Sequence, residues 1–194
     1  QYSRRIAEVF KELEDEKSAA SYLSEHDPLT GLPNTRVMDI RAHQAILMAN
    51  RGKSKPALLF IDLDHFKTIN DKFGHAVGDL MLQEVASRIR LVVREEDIAA
   101  RAGGDEFLVL LPHTADSSEA GAVAQKICAV LEKPFYVHDD KILISASVGI
   151  ALWPEHGNDL KSLTRSADHA MYAAKNSGKN AFKVFVSSVE NEVL

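Results

Sequence analysis

The sequence Arg101-Ala102-Gly103-Gly104-Asp105-Glu106-Phe107 joins two apolar segments near the middle of the 194-residue chain. The segments on either side, 97–100 and 107–111, are each of strand length, and Pro112 ends the second. A Gly-Gly pair between two strands predicts a β-hairpin, because glycine adopts positive φ without the steric penalty of a Cβ atom. We therefore interpret residues 97–111 as the hairpin around which the chain is organised.

The tip of this hairpin carries two adjacent carboxylates, Asp105 and Glu106, that an apolar hairpin does not require. Gly103 and Gly104 lack side chains, so they leave room for a ligand to approach the backbone beside acids that can hold a cation. Asp and Glu are also common in solvated turns, and this stretch alone leaves both interpretations open.

Composition predicts one soluble globular domain with an appendage, since 45% of the residues are hydrophobic and 26% are charged. The net charge of −5 argues against nucleic acid as a partner but permits a phosphate ligand held by local lysines and a metal. The single cysteine, Cys128, cannot form an internal disulfide, which favours a cytoplasmic location. No apolar run approaches the roughly 20 residues of a membrane span. Gln1 in place of Met favours a longer parent protein, which could itself be membrane-anchored.

Residues 1–25 predict a helix outside the main domain, because they are rich in Glu, Lys and Ala and contain neither Gly nor Pro. The residues at coiled-coil a and d spacing are Ile6, Phe10, Leu13, Lys17, Ala20 and Ser24. This narrow stripe favours a dimerising helix that carries a signal from an upstream domain, and a single helix packed on the domain is the alternative. We expect a main domain at 26–187 and a C-terminal tail at 188–194.

Beyond residue 26 the hydrophobic pattern alternates between helical and strand periodicity. The predicted helices cover about 34–50, 65–73, 79–93, 116–131 and 159–176, and the predicted strands about 57–61, 97–100, 107–111, 135–137, 142–151 and 182–186. The strands at 135–137 and 142–151 are expected to form a second hairpin. Helices interspersed with hairpins imply an α+β fold, an α/β sandwich with a mixed, largely antiparallel central sheet flanked by helices.

A second acidic pair, Asp62 and Asp64, follows the apolar run 57–61 that we interpret as a central strand. Period-two alternation places both acids on one side of that strand. If the hairpin is the neighbouring strand, Asp62 and Asp105 can share divalent metals, because Mg²⁺ prefers one or two carboxylates with water and phosphate oxygens. The sequence leaves this neighbour relation open.

Three lysines could reach a phosphate group near these acids. Lys67 lies in the short helix after the strand, and Lys175 and Lys179 lie at the end of the last helix. Lysines at a helix C-terminus also simply complement the helix dipole, so the last two are ambiguous. The sequence contains no HExxH, CxxC, GxxxxGK[ST], GxGxxG or GxSxG pattern, which argues against zinc, P-loop, dinucleotide and serine-hydrolase sites.

Five motifs occur in a fixed order along the chain. They are DPLTGLPN at 27–34, FIDLDHFKTIND at 60–71, FGHAVGD at 73–79, RAGGDEF at 101–107 and AKNSGKN at 174–180. In this order they resemble the GGDEF-type diguanylate cyclases over about residues 26–186. The resemblance implies a nucleotide-cyclase-like, ferredoxin-like fold and an enzyme that joins two GTP molecules into cyclic dimeric GMP with release of two pyrophosphates.

The resemblance also implies the catalytic and metal-binding residues. Asp62, the backbone carbonyl of Leu63, and Asp105 would bind Mg²⁺ or Mn²⁺, two ions in each active site. Asp105, together with Glu106, would accept the proton of the attacking 3′-hydroxyl group. Lys67 would stabilise charge in the transition state.

The GTP-binding residues implied by the resemblance surround these groups. They are Phe66, Asn70, His75, Asp79, Gly103, Gly104, Lys175 and Lys179. Asn70 and Asp79 would read the guanine edge, whose N1–H and N2 amine donate hydrogen bonds. The lysines would hold the triphosphate, and the two glycines would leave room for the nucleotide.

An RxxD pattern, Arg94 to Asp97, precedes the hairpin at the position of the family's inhibitory site. Arginine can form two hydrogen bonds to guanine O6 and N7, and aspartate can accept from the N1 and N2 edge. We interpret this pair as a binding site for cyclic dimeric GMP, which would act as product and as allosteric inhibitor. As a bare pattern, charged residues of this kind often close a helix.

One domain holds one GTP, so ring closure implies a homodimer in which two domains face each other. The helix at 1–25 would raise the local concentration of the second domain and connect it to an upstream sensory domain. A non-catalytic receptor for GTP or cyclic dimeric GMP is the alternative, and a plain dimerisation module is a third. Intact Asp62, Lys67 and Asp105 favour the enzyme.

Overall fold

The computed structural model describes residues 5, 11–14, 16, 22, 24–52 and 54–187. The coiled-coil prediction falls mostly outside this set, since only Leu13 and Ser24 of its a and d positions are described. The predicted tail at 188–194 also lies outside the described residues. None of the helices in the described part of the chain combines the length and apolar composition that crossing a bilayer requires.

The strands of the described region form a five-stranded sheet and a separate two-stranded sheet. Their bounds are β1 Lys55–Asp64, β2 Ile98–Gly103, β3 Glu106–Thr114, β4 Phe135–Val137, β5 Asp140–Ile142, β6 Ser145–Leu152 and β7 Ala181–Val184. The large sheet has the order β2-β3-β1-β6-β7, and β7 is parallel to β6 while the other pairs are antiparallel. This arrangement confirms the predicted mixed, largely antiparallel α+β sheet.

Five helices cover the two faces of the large sheet: α1 Thr35–Ala49, α2 Phe66–Phe73, α3 His75–Val92, α4 Ser117–Leu131 and α5 Leu160–Asn176. Alternate residues of β1 face opposite sides. Leu59 and Ile61 pack in the cluster formed with α3 and α4. Leu58 and Phe60 pack in the cluster formed with α1 and α5. Burial on both faces explains why β1 has a nearly continuous apolar sequence and lies at the centre of the sheet.

Helix α3 begins earlier than the sequence predicts, at His75 rather than near residue 79. Gly74, with φ of 87°, ends α2 and directly precedes α3, so Gly78 lies inside the first turn instead of before the helix. Near its start, Leu80 is 45% exposed and Met81 is buried.

The predicted second hairpin is also different in the structure. Strand β4 pairs with the short strand β5, with His138 and Asp139 between them, and β6 begins only at Ser145. The apolar run from Ile142 to Ala151 therefore spans two strands in different sheets. His138 has φ of 53°, the left-handed conformation typical of a tight hairpin turn. The sequence does not predict this turn, because no glycine or asparagine stands at the position.

The packing of α5 against β6 depends on Gly149. A Cβ atom at this position would lie 1.8 Å from the carbonyl oxygen of Ala167 and 2.3 Å from the amide nitrogen of Met171. Both obstructing atoms belong to the backbone of α5 and cannot rotate away. The absence of a side chain at Gly149 thus sets how closely α5, and the site residues on it, approach the sheet.

We predict that Gly149→Ala lowers the free energy of unfolding by about 3 kcal/mol, because helix and sheet must separate to admit the methyl group. Urea denaturation measures this change. Gly52→Ala is the matched control, since its added Cβ would meet only Met48 O at 3.7 Å, and we expect a change within about 0.5 kcal/mol. Equal stability of Gly149→Ala and the unaltered protein would contradict the packing argument.

Candidate active site

The hairpin and the central strand meet at the end of β1. Asp62 lies opposite Glu106 in the register of β1 with β3, and the N–H of Leu63 donates to the carbonyl oxygen of Asp105 at 3.3 Å. The neighbour relation between strand and hairpin, which the sequence left open, is therefore present. It brings the acidic pair of the hairpin beside Asp62, a buried acid of β1.

The turn of the hairpin has the backbone conformation that its glycines permit. Gly103 has φ of 146° and Gly104 has φ of 52°, and a Cβ atom built at either position would meet nothing within 4 Å. The side chain of Arg101 supports the turn, because Nε and Nη2 donate to the carbonyl oxygen of Gly104 at 3.1 and 2.8 Å. The space beside both glycines is therefore open in the described part of the chain, and its use by a ligand stays a prediction.

The same arginine attaches the hairpin to the loop that follows the N-terminal segment. Arg101 Nη1 lies 3.1 and 3.2 Å from the carboxylate oxygens of Asp27, and both side chains are largely buried. Thr30 donates to Asp27 through N–H and Oγ. Burial would raise the pKa of Asp27, but these hydrogen bonds and the charge of Arg101 together lower it below its usual value. Sequence reasoning assigned no role to this pair, although one arginine beside two glycines could have suggested it.

Asp62 is a buried acid paired with a lysine. It is 8% exposed, and Lys175 Nζ lies 2.7 Å from its Oδ1. Its pKa is raised, first by burial and then by the charges of Asp105 and Asp64, against the opposing effect of Lys175. A buried carboxylate with other carboxylates near it favours binding of a cation, which offsets the repulsion among them.

Glu106 shares this environment. Burial raises its pKa first, and the charges of Asp62, Asp105 and Asp168 raise it further. Asp168, on α5, is an acid of this site that sequence reasoning missed. It stands seven residues before Lys175 on the same helix, a spacing of about two turns that places both residues on one face.

Asp64 has a different role from Asp62, although the sequence predicts them as a pair. Its carboxylate accepts hydrogen bonds from Ser145 Oγ at 2.6 Å, Ser147 Oγ at 2.7 Å and the N–H of Asn180 at 3.1 Å. These donors join β1 to β6 and to the segment before β7. Asp64 is therefore a structural carboxylate whose acceptors are already used.

The donor set suits a hard cation held in an open site. No group of three or more His, Cys, Asp or Glu side chains among the described residues converges as a closed metal cage. Mg²⁺ instead takes one or two carboxylates and completes its shell with water and substrate phosphate. Asp62 and Asp105, which interact electrostatically, fit that requirement, and Leu63, which follows Asp62 in β1 and bonds to Asp105, could add a backbone oxygen.

The predicted base-binding residues lie together on α2 and α3. Phe66 is buried, Asn70 is half-buried, and His75 and Asp79 are exposed. Oδ1 of Asn70 is buried and has no hydrogen-bond partner among the described residues. The nitrogen end of the same amide is not among the buried polar atoms, so it is the end that can reach a ligand.

The three predicted phosphate lysines differ in their surroundings. Lys175 is paired with Asp62, as described, and so belongs to the acidic cluster. Lys67 is exposed on the first turn of α2. Lys179 follows α5 with φ of 64°, and its N–H donates to the carbonyl oxygen of Ala174 at 3.2 Å. The structure therefore brings one of the three into direct contact with a predicted metal ligand.

Arg94 and Asp97 form a tight turn between α3 and β2. Asp97 Oδ2 accepts from the N–H of Arg94 at 2.8 Å, and burial raises the pKa of Asp97. Nη1 of Arg94 lies 3.3 Å from Glu119 Oε1. The turn borders a groove of about 500 Å³ that Arg41 and Arg90 also line. The two residues of the predicted inhibitory site therefore lie beside a groove, and their binding role stays a prediction.

Comparison with known proteins assigns the chain to a family. The family model "Diguanylate cyclase, GGDEF domain" matches residues 24–181. The bifunctional diguanylate cyclase/cyclic di-GMP phosphodiesterase MucR of Pseudomonas aeruginosa is 46% identical over 86% of this chain and 24% of its own length. The diguanylate cyclase TpbB of the same organism is 42% identical over 87% of this chain and 39% of its own. The chain thus spans well under half the length of these relatives.

Solved structures show the same relationship. The crystal structure of the GGDEF domain of TpbB superposes with a TM-score of 0.80 at 41% identity, covering 82% of this chain and 99% of that one. The coiled coil and GGDEF domain of DgcB from Caulobacter crescentus, in complex with c-di-GMP, gives a TM-score of 0.81 at 28% identity, covering 94% and 98%. This chain belongs to the GGDEF-domain diguanylate cyclase family.

Proposed function

We propose that this protein is an active diguanylate cyclase that condenses two GTP molecules into cyclic dimeric GMP and two pyrophosphates. The observation that carries the proposal is the cluster at the end of β1, where buried Asp62 contacts Lys175 at 2.7 Å and faces Glu106 across the strand pair. The mutual repulsion of Asp62, Asp105 and Glu106 costs stability in the ligand-free protein. A site for metal-bound triphosphate gives this cost a function.

The proposed reaction is an attack by the 3′-oxygen of one GTP on the α-phosphorus of the other. A phosphorus–oxygen bond to the 3′-oxygen forms, and the bond from the α-phosphorus to the oxygen bridging to the β-phosphate breaks. Pyrophosphate leaves, and the hydroxyl proton passes to a carboxylate and then to water. The 3′-oxygen of the second GTP then attacks the α-phosphorus of the first in the same way, which releases the second pyrophosphate and closes the ring.

Asp105 is proposed as the acceptor of that proton, with Glu106 beside it. Asp62, Leu63 and Asp105 would hold two Mg²⁺ or Mn²⁺ ions, which supply electrostatic stabilisation of the attacking and leaving oxygens. In the ligand-free protein, Lys175 forms an ion pair with Asp62, the same carboxylate that is proposed to bind the metal. Lys67 and Lys179 would then neutralise the outer phosphates, where a flexible ammonium group on an exposed stem is effective.

Guanine recognition is proposed for Asn70 and Asp79, with Phe66 and His75 at the edges of the base subsite. The carboxylate of Asp79 can accept from both N1–H and the N2 amine of guanine, whereas adenine presents no such donor pair. The amide nitrogen of Asn70, the end of the side chain that is not buried, can donate to guanine O6 on the same base edge. Gly103 and Gly104 leave the space above the hairpin free for the ribose and phosphates.

Ring closure requires a second active site facing the first, so a homodimer is part of the proposal. The helix at 1–25 is proposed to dimerise and to transmit the state of an upstream sensory domain. The solved structure of the coiled coil and GGDEF domain of DgcB supports that arrangement, because its superposition covers 94% of this chain. Asp27, close to this segment, is joined through Arg101 to the hairpin, so a displaced linker could move the catalytic turn.

A receptor that binds cyclic dimeric GMP without making it is the second candidate function. The observation favouring it is the turn formed by Arg94 and Asp97 beside a groove large enough for a nucleotide. An enzyme with product inhibition uses the same feature, so the two functions differ only in turnover. Formation of cyclic dimeric GMP from GTP distinguishes them.

We predict that the protein with GTP and Mg²⁺ yields a dinucleotide with two phosphodiester bonds on anion-exchange chromatography. Asp105→Asn should reduce the initial rate about a hundredfold or more, because it removes the proton acceptor and one metal ligand. Asp139→Asn, in the exposed β4–β5 turn, is the matched control and should retain full activity. If no product forms at protein concentrations that sustain dimers, the enzyme hypothesis is rejected in favour of the receptor hypothesis.

We predict that Mg²⁺ raises the melting temperature of the protein and that Asp62→Asn abolishes this increase. The ion binds the folded cluster and not the unfolded chain, so stabilisation follows mass action. Because the pKa of Asp62 and of Glu106 is raised, their protonation begins at higher pH than for ordinary carboxylates. The Mg²⁺ effect should therefore shrink from neutral to mildly acidic buffer, and differential scanning fluorimetry measures both dependences. An unchanged Mg²⁺ effect in Asp62→Asn would place the ion elsewhere.

We predict product inhibition that depends on Arg94. Its backbone N–H, and not its side chain, makes the hydrogen bond to Asp97, so Arg94→Ala should keep that bond while it removes the ion pair with Glu119. The concentration of cyclic dimeric GMP giving half-maximal inhibition should rise about tenfold, the loss expected for a two-hydrogen-bond contact to guanine. Initial rates with added product measure it, with Arg165→Ala on α5 as control. Equal inhibition of both variants would refute this site.

A further inference from the structure

Gly78 occupies a position where the backbone itself does not require glycine. It lies in the first turn of α3, its N–H donates to the carbonyl oxygen of Gly74 at 3.2 Å, and its φ is not in the positive range. Glycine at a helical position costs about 0.5–1 kcal/mol relative to alanine. A helix that accepts this cost has a reason in the surroundings of the residue.

The surroundings show that the reason is space for Asn70. A Cβ atom at Gly78 would lie 1.9 Å from Asn70 Oδ1, 3.0 Å from its Cγ and 3.3 Å from Phe66 Cζ. Gly103 and Gly104 differ in this respect, since nothing lies within 4 Å of a Cβ at either. The missing side chain of Gly78 therefore forms a notch on α3 that the amide end of Asn70 fills from α2.

The notch fixes the amide in an orientation that no hydrogen bond from the described residues supports. Oδ1 of Asn70 is buried and lacks a partner in the described part of the chain, so packing alone holds that end of the side chain. The residue as a whole is only half-buried, and the other end of its amide remains accessible. An amide free to rotate would expose both polar atoms to water instead, which normally lowers the free energy of a polar group.

We propose that Gly78 is a specificity-positioning residue of the guanine subsite, an inference that rests on the proposed function. By seating one end of the Asn70 amide, it aims the other end at the base edge that Asp79, the next residue on α3, also reads. Polar groups aligned before binding discriminate strongly between bases, because a mismatched base leaves them unpaired. Gly78 touches no part of the nucleotide itself and acts through Asn70.

The test is calorimetric binding of guanosine 5′-[α,β-methylene]triphosphate with Mg²⁺, since this analogue cannot be condensed. The proteins are the unaltered chain, Gly78→Ala, Asn70→Ala and the double variant. We expect Gly78→Ala and Asn70→Ala each to weaken binding about tenfold, the value of one well-placed hydrogen bond. Gly78→Ala should have less than about a twofold effect when Asn70 is already alanine, because the two residues act as one unit.

Two controls separate positioning from a general structural effect. Inorganic tripolyphosphate with Mg²⁺ lacks a base and should bind Gly78→Ala as well as it binds the unaltered protein. Gly121 lies on helix α4, and Gly121→Ala places a Cβ 3.2 Å from Phe182 of β7. This variant should leave nucleotide affinity within about a twofold range. The double variant also keeps the test valid if Gly78→Ala folds poorly, because removal of the Asn70 amide clears the notch.

The outcomes are distinct. Unchanged nucleotide affinity in Gly78→Ala would overturn the inference, as would an undiminished loss in the Asn70→Ala background or a parallel loss of tripolyphosphate binding. If the unaltered protein binds the guanine nucleotide no more tightly than it binds tripolyphosphate, the proposed function fails, and the inference fails with it.

Discussion

The pairing of β1 with β3 in one register determines the rest of the candidate site. That register sets Asp62 opposite Glu106, and the hydrogen bond from Leu63 to Asp105 holds the hairpin tip beside the end of the strand. A shift of one residue would turn each side chain to the opposite face of the sheet. Because β1 is buried on both faces by apolar residues, the hydrophobic core opposes such a shift and thereby keeps the acids in place.

The cluster combines opposing electrostatic contributions. Burial and mutual repulsion raise the pKa of Asp62 and Glu106, whereas Lys175 lowers that of Asp62. Gly149 lets α5 approach β6 closely enough to deliver this lysine, so a packing feature in the core supports the charge balance of the site. Arg101 and Asp27 hold the hairpin turn against the loop at 27–33, and their buried pair connects the N-terminal segment to the candidate site.

Sequence reasoning predicted the parts of the fold that depend on local pattern. The apolar run of β1, the Gly-Gly hairpin and the acids on it were recognisable because their chemistry is contained within a few residues. It failed where the deciding contact is remote in sequence. The hydrogen bonds from Ser145 and Ser147 that make Asp64 structural span more than eighty positions. Asp168 approaches Glu106 only in the folded chain, and Gly78 was read as a helix boundary because its partner, Asn70, lies on another helix.

The central claim is that Asp62 and Asp105 hold the metal that carries a triphosphate. The most direct measurement is anomalous diffraction at the manganese edge from crystals grown with Mn²⁺ and guanosine 5′-[α,β-methylene]triphosphate. We predict an anomalous peak within about 2.2 Å of carboxylate oxygens of both residues, the distance typical of a small hard divalent ion. A well-ordered nucleotide with no peak between these two carboxylates would contradict the account.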